Sequence, residues 1–142
     1  MLFDSHAHVN FSAFKKDRDQ VIKRALENKT WLINVGSQLS TSQRAVEIAE
    51  DYSEGVYAAI GLHPIHLSAR DYHDPEDKIE FSTHAEKFDA LSYHELAQSK
   101  KVVAIGEAGL DFFHNKENKN EQEAVFRQQI KLACQLNLPL IV

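Results

Sequence analysis

At 142 residues the chain has the length of one domain or part of one. With 43% hydrophobic and 26% charged residues it can build a packed core, and a net charge of −5 argues against a basic surface that wraps nucleic acid, though not against an enzyme that meets phosphate through metal ions. A single cysteine, Cys134, excludes a disulfide framework and points to a reducing, cytoplasmic compartment. No stretch reaches the ~18 apolar residues of a membrane span.

The first element is a strand over about Met1–Val9, apolar at both ends and expected to be buried. Strand side chains alternate with period two, so Asp4, His6 and His8 are expected on one face. Two imidazoles one strand repeat apart can grip a single cation, since neutral imidazole is a good ligand for Zn, Mn, Fe or Ni. The alternative is a pair of histidines satisfied by hydrogen bonds.

A loop carrying Phe11, Phe14, Lys15 and Lys16 follows. Asp17 with Gln20 resembles a capping box for a helix whose apolar face is Val21, Ile22, Ala25 and Leu26, with Asn28 as its stop. The second strand is Thr30–Gly36. Ser40 with Gln43 is expected to cap a helix with Ala45, Val46, Ala49 and Tyr52 inward, ended by Gly55. The third strand is Val56–Leu62, followed by His63-Pro64. The segment from Ile65 to about Leu91 is long for a connection, and such loops are usually functional or mobile. Within it Asp74-Pro75 has the form of a helix start, and Ser92 with Glu95 that of a later short helix. The fourth strand is Lys101–Glu107. Asn120 with Glu123 is expected to cap a long helix with Val125, Phe126, Ile130, Ala133 and Leu136 inward and Cys134 in its core. Leu138 to Val142 begins a fifth strand.

Regular alternation of uninterrupted apolar strands with helices argues for a parallel sheet covered by helices. An open doubly wound sheet and a (β/α)8 barrel compete. The open sheet usually declares itself by a glycine-rich phosphate turn after its first strand, and here the first glycine is Gly36. A barrel places its chemistry at the C-terminal ends of its strands, where His6, His8, His63 and Glu107 all fall. The expectation is therefore about half of a (β/α)8 barrel, four βα units plus the start of strand five, with residues 1–142 forming a single incomplete domain.

Glu107 reads in two ways, as a metal ligand or as a strand-end residue capping a helix or pairing with lysine. His63 could reach a substrate phosphate, since Tyr57, Ala59 and Gly61 leave room on its side of the strand, or could only stiffen the turn before Pro64. Asp4 is expected to support an imidazole by accepting its second N–H. His66, His73, His84 and His94 have no ligand spacing. Lysines and phenylalanines share the loops after the first and fourth strands (Lys15, Lys16, Lys116 and Lys119 with Phe11, Phe14, Phe112 and Phe113), a combination that suits single-stranded nucleic acid or simply a packed loop with solvated cations.

The stretches Phe3-Asp4-Ser5-His6-Ala7-His8, Gly61-Leu62-His63-Pro64, Ala104 through Asp111 and Gln122 through Val142 resemble, in order and spacing, the TatD family of metal-dependent deoxyribonucleases. The resemblance covers the whole chain. It implies a hydrolase that cuts DNA from an end with two divalent ions, Mg, Mn or Zn. His6 and His8 match ligands of the first ion, Glu107 the carboxylate bridging both, and His63 a position near the metals. The remaining ligands and a general-base Asp would lie beyond Val142. The resemblance thus implies an N-terminal fragment that holds at most one ion well and self-associates through open sheet edges. Another His-x-His barrel hydrolase, an amidohydrolase or phosphoesterase, is the enzymatic rival, although amidohydrolases commonly carry a carbamylated lysine where Glu107 stands. A catalytically incompetent metal-binding fragment is the rival from a different class.

Overall fold

In a computed structural model of the chain, the described backbone covers residues 1–74 and 79–142 and the described side chains residues 1–69 and 82–142. Four strands, β1 (Leu2–Ala7), β2 (Thr30–Val35), β3 (Val56–Ile60) and β6 (Val102–Ile105), form one parallel sheet in the order β1-β2-β3-β6. Helices α1 (Arg18–Glu27), α2 (Leu39–Glu50), α3 (Ala90–Leu96) and α4 (Lys119–Leu136) follow in chain order. Leu140 pairs with Ile105 in an isolated parallel bridge, which is as far as the expected fifth strand develops.

The long third connection contains an antiparallel hairpin, β4 (Arg70–Asp74) with β5 (Ile79–Thr83). Asp74 therefore ends a strand, where its pairing with Pro75 had suggested a helix start. Pro75 and the side chain of His73 lie outside the described residues.

The main core lies between sheet and helices. Ile22 of α1, Ala45 and Ala49 of α2, Tyr93 of α3 and Val125 and Leu132 of α4 pack on Leu32, Val56, Ala58, Ile60 and Ile105. Each fully buried Leu or Ile contributes about 1.5–3 kcal/mol. A smaller cluster of Ile33, Val35, Ala59 and Ala104 lies on the other face of the sheet.

Several caps differ from expectation. Asp17 makes no side-chain cap bond, and α4 starts after Asn118 and not after Asn120. At α2 the Thr41 hydroxyl accepts the N–H groups of Ser37 and Gln38, both at 2.9 Å, and at α3 Asp89 accepts the N–H of Leu91. In each case the loop's path decides which neighbouring hydroxyl, carboxylate or carbonyl reaches the helix end, and spacing alone does not fix that path.

The strand β1 is not buried. Among the described residues it has a neighbour on one side only, and Leu2 and Phe3 are 69% and 51% exposed. On α4 the inward face is Gln122, Val125, Gln129, Leu132 and Ala133, while Ile130 and Cys134 are exposed. The buried face thus lies about one residue round from the apolar stripe, because two glutamines on it bond to loop backbone.

Those glutamines position the strand-end loops. Gln129 accepts the Leu62 N–H and donates to the Leu62 carbonyl, both at 2.9 Å. Gln122 accepts the Asp111 N–H at 2.7 Å and donates to the carbonyl of Asn115 at 2.9 Å. Tyr93 donates its hydroxyl to the carbonyl of Gly61 or to Glu86, 3.2 Å from each, and burial followed by the Glu86 charge raises its pKa. Replacing Tyr93 by Phe should cost about 1 kcal/mol, because the Gly61 carbonyl keeps Ser42 as a donor while it and Glu86 lose the phenol. Urea unfolding would read this as a lower midpoint at unchanged slope.

Candidate metal centre

The site sits where β1, β3 and β6 end. His6 lies within β1 and His8 one residue past it. Relative to β2, β1 carries one extra residue between Asp4 and Ala7, a bulge of the kind that re-aims side chains beside functional sites. The period-two alternation from Asp4 to His6 is interrupted there. The Asp4 carboxylate accepts the backbone N–H of His6 at 3.1 Å; its partner is main chain and not an imidazole.

The turn after His8 is pinned to β2 and α2. The Val9 N–H donates to Asn34 Oδ1 at 3.1 Å, and Asn10 Nδ2 donates to the carbonyls of Val35 and Thr41 at 3.1 and 3.0 Å. His8 Nδ1 stands 3.0 Å from the Val35 carbonyl. A carbonyl can only accept, so Nδ1 carries the proton and the neutral ring offers the Nε2 lone pair.

Glu107 arrives from the end of β6. Its N–H donates to the carbonyl of Gly36 at 2.8 Å, and the N–H of Gly106 donates to Ile60 at 2.8 Å. Gly61 lets these strand ends meet: a Cβ there would stand 2.7 Å from Gly106 C and 2.9 Å from the Glu107 carbonyl oxygen.

These anchors bring the sequence candidates together. His6 Nε2 is 3.7 Å and His63 Nε2 3.8 Å from Glu107 Oε1, and His8 Nε2 is 3.9 Å from Oε2. One ligand atom each from His6, His8 and Glu107 lies within 4.8 Å of the others. The gaps exceed hydrogen-bond length, and no protein hydrogen bond among the described residues engages these ligand atoms. Two ligands each about 2.1 Å from one ion stand roughly 3–3.5 Å apart, so the widest of these separations has to close by up to about 1–2 Å as the side chains swing onto an ion. Two imidazoles and a carboxylate, their lone pairs otherwise unused, fit a divalent transition metal such as Zn or Mn.

His63 is different. Its Nδ1 accepts the Ile65 N–H at 3.1 Å, so in the neutral ring Nε2 carries the hydrogen. It presents a donor to the site where the other two histidines present lone pairs. Burial, outweighing the pull of Glu107, lowers its pKa, which keeps the ring neutral.

Asp111 braces the loop after β6 by accepting the His114 N–H at 3.0 Å and lying 2.7 Å from the His114 ring nitrogen. Burial pushes its pKa up, but the bonds to His114 outweigh that and hold it below the usual carboxylate range.

The loop phenylalanines separate. Phe14 packs against the core, Phe112 lies under the Lys119 ammonium at 4.5 Å, Phe113 is exposed, and Phe11 stacks on His8 with centroids 4.4 Å apart. Lys15 and Lys16 line a separate depression at the start of α1 with Asp17, Arg18 and Asp19.

Sequence spacing did not single out His66, which lines that groove with Phe11 and Arg44. Burial first, and then the neighbouring His63 and His84, push it down to about 4. Its folded pKa lies below the unfolded value of about 6.5, so the unfolded state binds the extra proton between those values. Stability is therefore expected to fall as pH drops from 6.5 to 4. After discounting for the ring's partial exposure, a His66→Gln variant should remove about 1–2 kcal/mol of that slope in pH-dependent urea unfolding.

The family model described as TatD related DNase matches residues 3–142. The chain is 41% identical over its whole length to an uncharacterized metal-dependent hydrolase, YabD, of Bacillus subtilis, covering 50% of it. It is 35% identical, over 99% of its length, to the 3'-5' ssDNA/RNA exonuclease TatD of Shigella flexneri, covering 48% of that protein. The crystal structure of YJJV, a TatD homolog from Escherichia coli, superposes on 98% of the chain and 49% of its own, with a TM-score of 0.74 and 27% identity. The chain thus spans about half the length of the curated relatives it matches, and its parallel sheet is about half of the barrel in that structure. With a family match that runs from the first strand to Val142, the chain belongs to the TatD-related DNases.

Proposed function

We propose that residues 1–142 form one incomplete hydrolase domain that supplies the first half of a metal-dependent phosphodiesterase site acting on single-stranded DNA or RNA. The observation that carries this is the convergence of His6, His8 and Glu107 at three strand ends. The exonuclease and hydrolase names of its relatives support the substrate class.

In this reading His6, His8 and Glu107 hold a divalent ion, Glu107 having a second oxygen for another. The ions' chemistry is to acidify a water and stabilise charge on the attacked phosphoryl group. The Val35 carbonyl fixes the His8 ring so that Nε2 faces inward. His63 Nε2–H stands beside the carboxylate and can donate to a phosphate oxygen. Asp4 steadies the His6 main chain. The other ligands and the general base belong to the half of the family fold that this chain does not span, so we assign one well-held ion to this polypeptide.

Met1, Leu2 and Phe3 on the open edge of β1, with Val142 on the far side, are exposed, and unpaired apolar edges associate. We therefore infer self-association of the polypeptide. No helix among the described residues is long and apolar enough to cross a membrane, and the free thiol of Cys134 suits the reducing cytoplasm.

The test is manganese stoichiometry together with cleavage of labelled single-stranded DNA, on a sample of known oligomeric state. One ion per chain, lost in His6→Ala and His8→Ala, is expected, with cleavage slow at best. Failure to bind manganese, or binding indifferent to both substitutions, would sink the site. Two tight ions with turnover above about 1 per second would show that this half suffices.

A further inference from the structure

A groove of about 430 Å³ opens beside the metal centre, lined by Phe11, Ser12, Ser37, Gln38, Thr41, Arg44 and His66. It is continuous with the candidate site, because one face of Phe11 lies on the His8 ring at 4.4 Å and 21°. Its lining is mostly apolar, with Phe11 as the ring on one wall and Arg44 as the cation. Arg44 donates to the carbonyl of Asn10 at 3.3 Å and has no carboxylate partner among the described residues. The first turn of α2 borders it through Gln38 and Thr41, its leading N–H groups already taken by the Thr41 hydroxyl and the Glu86 carboxylate, so the phosphate contact falls to Arg44. His66, held neutral, adds an imidazole edge without repelling Arg44.

We infer that this groove is a nucleotide subsite of the nuclease site. It takes the nucleotide next to the phosphodiester being cut, with the base against Phe11 and its flanking phosphate at Arg44. This rests on the nuclease reading above and adds where the strand runs: from the metal ligands over Phe11 toward the start of α2. An aromatic platform reads any base, because every base has a π-face, while a guanidinium tracks the backbone. The subsite therefore makes the enzyme prefer unstacked strands without choosing a sequence. A ring on one wall and a cation without a counter-charge among the described residues commit the groove to this occupant, since an apolar peptide would give Arg44 no anion.

The experiment measures fluorescence anisotropy of the 142-residue chain in EDTA with two labelled strands of equal length, hexathymidylate and an abasic hexamer. The unaltered chain is expected to bind hexathymidylate about tenfold tighter than the abasic strand. Phe11→Ala should remove that preference, weakening hexathymidylate about tenfold while leaving the abasic strand unchanged. Phe11→Leu keeps the apolar volume without the ring, so the same loss there assigns the effect to stacking and not to a collapsed loop. Arg44→Ala should weaken both strands and lower the slope of log affinity against log salt by about 0.7. Equal affinity for the two strands, or a Phe11→Leu variant that retains the preference, overturns the subsite. If manganese binding still depends on His6 and His8, the metal-site reading survives that result. Failure of the unaltered chain to bind either strand overturns the subsite, while the nuclease reading stands or falls on the manganese and cleavage measurements.

Discussion

Replacing Glu107 by Gln is expected to abolish divalent-cation binding while leaving the fold as stable as before. The carboxylate makes no hydrogen bond among the described residues, and its nearest partners are imidazole nitrogens at 3.7–3.9 Å. A residue that capped a helix or locked a lysine would have such bonds to lose. Folding therefore gains little from the charge, whereas a divalent ion gains most of its electrostatic stabilisation from it. The affinity loss should exceed the roughly 100-fold that changes in supporting residues reach. Thermal unfolding with and without manganese separates the two roles. Ion at a hundred times its dissociation constant stabilises the unaltered chain by about 2.7 kcal/mol, and the variant should show no such shift while its metal-free Tm stays put. A lower metal-free Tm with retained manganese binding would assign Glu107 a structural role. Glu121→Gln on the exposed start of α4 serves as the control.

Gly61→Ala should damage both stability and the site. The added Cβ would meet backbone, 2.7 and 2.8 Å from Gly106 C and Cα and 2.9 Å from the Glu107 carbonyl oxygen. No rotamer change relieves a clash with main chain. Nor can Gly61 retreat freely, since Ser42 and Tyr93 bond to its backbone and Gln129 grips Leu62 on both sides. The strand ends must therefore part, at about 1–3 kcal/mol and a Tm lower by roughly 3–12 °C. Since Glu107 moves with Gly106, manganese affinity should fall as well. An unchanged Tm would mean that β3 and β6 separate at their ends without cost. A lower Tm with intact affinity would mean that the carboxylate reaches the histidines by another route.

What the sequence determined by itself is what chain-local chemistry encodes. Uninterrupted apolar strands alternating with amphipathic segments imply a parallel sheet under helices, because only crossover connections return a chain parallel to itself. The four core strands lie close to where apolar runs end, and His6, His8, His63 and Glu107 fall at those ends. What only the tertiary structure decided depends on partners distant along the chain. The exposure of β1 goes with its having a single neighbour among the described residues, and the aim of His6 follows from a bulge measured against β2. The pairing of β4 with β5 comes from antiparallel strand contacts and not from periodicity. Gln122 and Gln129 are core residues because loop backbone far along the chain satisfies their amides, and no hydrophobic pattern can promote a glutamine inward. The different duties of His8 and His63 follow from single bonds, one to the Val35 carbonyl and one from the Ile65 N–H. Those bonds place the proton on opposite ring nitrogens. A sequence places imidazoles at strand ends, and the groups on their far sides decide which of them offers a lone pair and which a proton.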